Sequence, residues 1–438
     1  MTSDANTIHN EDDNQRHHVP YLLSKGSHGN VYTWGSKCII KVFLHSKDKV
    51  AEYEFYNNVC NLINGKFYGK NNLAVPVVFS DDLFLQETNM LETEGLNILT
   101  SCIPKLRTEN FVDYMIMMCR VDGITIDTYL SRAEWLVQPT GDRFLIPLDI
   151  INTVEHLHST GYAHGDLSFN NIMKQHRPNN TPHIILIDMV SCMKVQRKSK
   201  RCPVEIPNFH VVQFPMTTWS VVAPEIIVCG SIALKNNVFN MQPGTMNESL
   251  YPLNDGDNTS GCGFENYVSI YINPFSADKF SVGVITLCCF LGIERSQICS
   301  DKAVRTSLLK VLKGNNGSGC NTAAVAALEL YALFFLIDGV VPLVQTKQND
   351  ASFLSLYCLQ LQQTTCWPPT EKDAVEALLH IKSSKTIALY REKLKKWSGN
   401  RLLILSALLH PLHEYRMWPS QSLRSAVACE AVKPFHVY

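Results

Sequence analysis

The stretch YAHGDLSFNNIM, Tyr162–Met173, is a polar loop set between two strongly apolar segments. Before it, FLIPLDIINTVEHLHSTG has the spacing of an amphipathic helix ending near Gly161. After it, TPHIILIDMV reads as a buried strand that ends in a carboxylate, Asp188. The loop carries His164, Asp166 and Asn171, and Asp188 follows Asn171 by 17 residues. Taken singly, an Asp or Asn here is a turn cap. Taken together, the spacing suits phosphoryl transfer to a hydroxyl, which needs a carboxylate near the incoming oxygen and oxygen ligands for magnesium. Asp166 suits the first role, and Asn171 and Asp188 suit the second.

Upstream residues extend this chemistry. In SKGSHGNVY, Gly26 and Gly29 lie on either side of Ser27 and His28, and Val31 follows. Glycine lets a backbone approach a phosphate and present N–H groups to it, although the same four residues also describe an ordinary hairpin turn. Ten residues after Val31, Lys41 sits inside the apolar run CIIKVF. Burying its ammonium is costly unless it meets an anion; on the solvent face of an edge strand it needs none. The following helix supplies a candidate anion. Glu52 has Phe55, Tyr56 and Val59 at +3, +4 and +7, so it borders an apolar stripe. Glu54 has asparagine at all three positions and reads as a solvated face.

The 438 residues suit two lobes, or one domain with insertions. NVYTW, a GS turn and KCIIKVF read as a hairpin, VAEYEFYNNVCNLI as a helix and NFVDYMIMMCRV as a buried strand. From about residue 223 the pattern is mostly helical, interrupted by a polar insertion over 234–273. The expected class is therefore α+β: a small β-rich N-terminal lobe (19–121) and a larger helical C-terminal lobe (122–425), with tails at 1–18 and 426–438.

Lys and Arg number 39 and Asp and Glu 40, so no overall charge favours nucleic acid or an anionic membrane. Five basic residues in KVQRKSKR read first as a solvated loop, and alternatively as a docking or nuclear-import patch. The 15 cysteines form no CxxC pair and no zinc ladder, which fits reduced thiols in cytoplasm or nucleus. The first twenty residues lack an apolar core, so no secretory leader is expected. FSVGVITLCCFLGI reads as too short to span a membrane, and Ala323–Val344 carries Glu329, Asp338 and Pro342.

With these motifs in order, the chain resembles the protein kinase superfamily over roughly residues 20–420. HGDLSFNN matches the H-R-D-L-x-x-x-N loop, with Gly165 in the arginine's place. Ala223-Pro224-Glu225 resembles the end of an activation segment, and SADKFSVGVITL the helix that starts D-x-W-S-x-G, with Asp278 and Gly283 in place. LLILSALLHPLHEYRMW resembles the last helical motif, whose arginine, here Arg416, pairs with the glutamate at 225. The long insertion and altered motifs resemble divergent kinases of large DNA viruses, including those of herpesviruses.

The resemblance implies an ATP- and Mg2+-dependent serine/threonine protein kinase acting on protein substrates. Gly26, Ser27, His28, Gly29 and Val31 would cover the ATP phosphates. Lys41 would hold the α- and β-phosphates and pair with Glu52. Asp166 would take the substrate's proton, and Asn171 and Asp188 would bind magnesium. Met118 would guard the adenine pocket, with Cys119–Val121 as the hinge. Asp278 would brace the catalytic loop through its backbone N–H groups. Thr218, seven residues before Glu225, favours serine/threonine substrates. Partners could dock on the 234–273 insertion.

Departures keep two alternatives open. Ser24, Ile39, Ser168, Met189 and Val190 stand where the family usually has Gly, Ala, Lys, Phe and Gly. Ser24, Ile39, Ser168 and Val190 motivate a pseudokinase scaffold. An H-G-D loop also occurs in small-molecule phosphotransferases of the aminoglycoside-kinase type. Because Gly165 carries no charge, activity is expected not to depend on a phosphate in 190–220 acting through an arginine there.

Overall fold

The computed structural model describes residues 20–26, 28–89, 111–131, 140–175, 183–195, 221–227, 273–313, 319–343, 351–362 and 372–432. The tail 1–18, Ser27, Thr218, residues 234–272 and most of KVQRKSKR lie outside them. The chain forms two compact units, residues 1–121 with Asp188–Val190, and residues 122–187 with 191–438.

The first unit is organised by antiparallel pairing. Its strands are β1 (Leu22–Lys25), β2 (Gly29–Trp34), β3 (Cys38–Phe43), β4 (Cys60–Ile63), β5 (Lys66–Gly69), β6 (Val78–Phe79) and β7 (Met115–Cys119). They form one sheet in the order β1-β2-β3-β7-β6-β5-β4. Alternation along β3 and β7 sends Ile40, Val42, Met115 and Met117 into a core with Tyr32, Trp34, Phe79 and Phe84. Lys41 and Ile116, paired across the two strands, take the opposite face. Helix α1 (Ser46–Val59) and helix α2 (Asp81–Asn89) complete the unit.

The sequence reading ran the first helix through CNLI, but α1 stops at Val59 and Cys60–Ile63 is a strand paired with β5. Asn64 and Gly65 join the two strands, both at positive φ (49° and 72°). This is the two-residue hairpin turn whose twist matches paired strands. The buried strand expected over NFVDYMIMMCRV is shorter, with a 3-10 turn at Phe111–Tyr114 before β7.

The second unit pairs β8 (Gly123–Thr125), β10 (Ile172–Gln175) and β11 (His183–Leu186) in one small sheet. A second holds β9 (Tyr162–Ala163) and β12 (Met193–Lys194). Its α-helices among the described residues are α3 (Ile126–Ser131), α4 (Thr140–Ser159), α5 (Pro274–Leu291), α6 (Lys302–Lys313), α7 (Gly319–Ile337), α8 (Phe353–Leu361), α9 (Lys372–Lys382), α10 (Lys385–Leu394), α11 (Gly399–Leu408) and α12 (Gln421–Val432). Helix α5 is the core. It is capped by the Asn273 side chain, stopped by Gly292 at φ 69°, and packed against α4 and α11. At Gly283 a Cβ would come within 2.9 Å of the Leu408 and Leu409 side chains, so a glycine lets α11 approach closely. By length and apolarity α5 could cross a membrane, which the shorter segment read from the sequence could not, yet 89% of it is buried inside the protein.

The expected tail from 426 is corrected in part. Residues 426–432 continue α12, Val427 is fully buried, and Glu430 accepts hydrogen bonds from Ser398, Asn400 and Arg401.

Candidate functional site

One face of α1 buries three charged residues, Asp48, Lys49 and Glu52, in line with Phe55, Tyr56 and Val59. Charges are tolerated there only when paired, and each has a partner. Asp48 lies 3.4 Å from His28, Lys49 is 2.7 Å from Asp81, and Glu52 is 2.6 Å from Lys41. The Lys41 ammonium also donates to Asp188 Oδ1 at 2.6 Å. Three segments thus converge on one cation: β3, α1 and the turn after β11. Burial pulls the Lys41 pKa down, but the two carboxylates outweigh it and leave the value raised. Burial also pushes the Glu52 carboxyl up, with Lys41 opposing. Glu54 is exposed.

Asp188 sits at φ 63°. The left-handed region is uncommon for side-chain-bearing residues, and Asp is among the few that enter it readily. Met189 and Val190 continue as a buried 3-10 turn with no positive φ.

The turn expected to cover phosphates joins the antiparallel strands β1 and β2. Gly26 N–H donates to Gly29 O at 2.7 Å and closes the turn on itself. A Cβ on Gly29 would stand 2.2 Å from Val42 O, so sheet packing alone demands that glycine. The His28 side chain is buried against α1, and its pKa is raised chiefly by the hydrogen bond to Asp48. It is therefore committed to Asp48. Val31 lies opposite Lys41 on β2. Met118 is buried between Ile39 and Val78, and half-buried Val121 ends the unit's first stretch.

In the second unit the loop from His164 to Asn171 is held at both ends by strand pairing, Ala163 with Met193 and Ile172 with Leu186. Asp278, at the start of α5, fixes its first turn. Its carboxylate accepts from His164 N–H at 2.7 Å and Gly165 N–H at 3.1 Å, and lies 2.9 Å from His158 Nε2. Gly165 adopts φ 77°, and a Cβ there would meet Ser191 O at 2.6 Å. Asp166 N–H donates to His164 Nδ1 at 3.3 Å. The Asn171 amide NH2 donates to Asp166 O at 2.8 Å and to its Oδ2 at 3.2 Å, so the asparagine orients the carboxylate. An amide oriented this way leaves its oxygen as the group able to bind a cation.

Further along, Glu225 and Arg416 form a buried two-pronged pair at 2.7 and 2.8 Å. The guanidinium donates as well to His410 O, Ser276 O and Pro411 O, so all five of its N–H groups have acceptors. The sequence reading missed the links His28–Asp48 and His158–Asp278. Asp48 was findable, since it precedes Glu52 by one helical turn on the same face. His158 carried no such signal.

No protein-family model matches the chain, and no curated protein matches it either. Among solved structures, the chain is similar to a Plasmodium kinase domain at 13% identity, over 94% of this chain and 92% of that one, with a TM-score of 0.43.

Proposed function

We propose that the chain is a protein kinase, transferring the γ-phosphoryl group of ATP to serine or threonine hydroxyls of proteins. The observation that carries this reading is Lys41 held at 2.6 Å by both Glu52 and Asp188. Such an arrangement is poor value as a stabilising device, because a buried ion pair is often matched or bettered by apolar side chains of the same volume. It does suit a site that must present a fixed cation to an anionic ligand.

On this reading Lys41 binds nonbridging phosphate oxygens and Glu52 keeps its ammonium in place. Asp166 accepts the proton of the attacking hydroxyl, its orientation set by Asn171 and by the Asp278-anchored loop. The donor chemistry fits Mg2+: Asn171 and Asp188 offer hard oxygens, and Mg2+ keeps waters and phosphate oxygens as its remaining ligands. When bound, the ion supplies charge neutralisation between the phosphates. Ser/Thr preference rests on Thr218 in the sequence alone.

The test gives the purified chain labelled ATP, Mg2+ and a generic protein acceptor, beside Asp166→Ala and Lys41→Met variants. Phosphoserine or phosphothreonine from the parent chain, lost by at least about a hundredfold in both variants, is expected. Nucleotide binding without transfer supports the scaffold reading instead. Transfer to small alcohols but not to protein supports the small-molecule reading.

A further inference from the structure

We propose that Cys38 and Cys119 form a dithiol that a peroxide closes to a cross-strand disulfide. The proposal does not rest on phosphoryl transfer, although Cys119 is also the first residue of the expected hinge. Cys38, the first residue of β3, lies directly opposite Cys119, the last residue of β7. Arg120 N–H donates to Lys37 O at 2.8 Å, which marks that neighbouring couple as hydrogen-bonded across the two strands. Antiparallel pairs alternate, so Cys38 and Cys119 are a non-hydrogen-bonded pair. Consistently, Cys119 N–H points the other way, to Val77 O at 2.8 Å. Non-hydrogen-bonded partners have Cα atoms about 4.5 Å apart and side chains drawn together, inside the range that a disulfide spans.

Both sulfurs lie on the sheet face that carries Ile40, Val42, Met115 and Met117, at its half-buried end. A peroxide molecule is small enough to reach such a position. The hydrogen bond from the Cys38 thiol lowers the Cys119 pKa below the ordinary thiol range against burial, with help from the Lys66 ammonium. By contrast, burial pushes the Cys60, Cys288 and Cys299 thiols up to about 12. Thiolates, not thiols, attack peroxides. Cys119, the thiolate that the Lys66 ammonium also favours, is assigned as the nucleophile and Cys38 as the resolving residue.

The steps balance without a further reactant. The Cys119 thiolate attacks one peroxide oxygen; an S–O bond forms, the O–O bond breaks, and the hydroxide released takes a proton to become water. Cys119 is now a sulfenic acid, oxidised by two electrons, and the peroxide is reduced. The Cys38 sulfur then attacks the Cys119 sulfur; the S–S bond forms, the S–O bond breaks, and the leaving hydroxide takes the Cys38 proton as a second water. Two thiols and one hydrogen peroxide become one disulfide and two waters.

The test uses the reduced full-length chain with hydrogen peroxide, followed by alkylation, digestion and peptide mass mapping. A peptide carrying Cys38 joined to Cys119 is expected, released by dithiothreitol, and formed about tenfold faster than exposed Cys429 is oxidised. Cys38→Ser should leave a dimedone-trappable sulfenic acid at Cys119, and Cys119→Ser should leave Cys38 unoxidised at the same dose. Absence of the joined peptide, or oxidation of both residues no faster than Cys429, overturns the proposal. So does a sulfenic acid that collects at Cys38 in the Cys119→Ser chain, since the nucleophile would then be misassigned.

Discussion

At the scale of single residues, Gly165 and Lys41 are constrained by different physics. Gly165 is fixed by space and by backbone angle: φ is 77° and the Ser191 carbonyl stands where a Cβ would go. Gly165→Ala is expected to lower stability by about 1–3 kcal/mol, read as a shift in the urea midpoint, and, on the proposed function, to reduce phosphoryl transfer by moving Asp166. Lys41 is fixed by charge. Glu52→Gln keeps the shape but leaves the ammonium with Asp188 alone, and about 1–3 kcal/mol should be lost. Lys41 and Glu52 were legible in the sequence because a charge inside an apolar strand demands a partner, and only Glu52 borders an apolar stripe. Gly29 shows the converse. A glycine required by the Val42 carbonyl looks identical, in sequence, to one required by a phosphate.

At the scale of elements, α1 shows where periodicity fails. VCNLI continues the helical spacing, so the pattern alone could not end the helix at Val59. The end comes from the Asn64-Gly65 turn, whose two positive φ values return the chain as a hairpin. The C-terminal elements make a pH prediction. His410, after α11, is 1% exposed, accepts Leu412 N–H at Nδ1 and offers its carbonyl to Arg416. Burial, with the Arg416 charge adding to it, lowers its pKa from 6.5 to about 4, against the opposing Leu412 backbone. A depressed folded-state value means that the unfolded chain takes the proton first. Stability from this group is therefore complete above pH 6.5, falls as pH drops from 6.5 towards about 4, and is level below that. The span is worth roughly 3 kcal/mol. Chemical denaturation across pH 4–7 should show this slope in the parent chain and a flatter one in His410→Gln.

At the scale of the whole molecule, the first unit is not continuous in sequence. Its sheet and helices come from residues 1–121, but Asp188, Met189 and Val190 belong to it as well. The sequence reading divided the chain after Val121 and assigned 188–190 with their neighbours, because proximity along the chain was the only guide. A fragment ending at Val121 lacks the second carboxylate on Lys41 and the buried Met189 side chain. Amide exchange in β3 and α1 is expected to be faster in that fragment than in the full chain, and equal rates would show that the three residues contribute nothing to the unit. The borrowed turn also sets an order of assembly during synthesis. The first unit is the first to be made, yet its last three residues come 67 to 69 positions after Val121. At about 5–20 residues per second, the ribosome needs roughly 3–14 s to supply them. For that interval the nascent sheet carries a lysine with half its counter-charge, and a chaperone or a slow codon in that window acts on an unfinished unit.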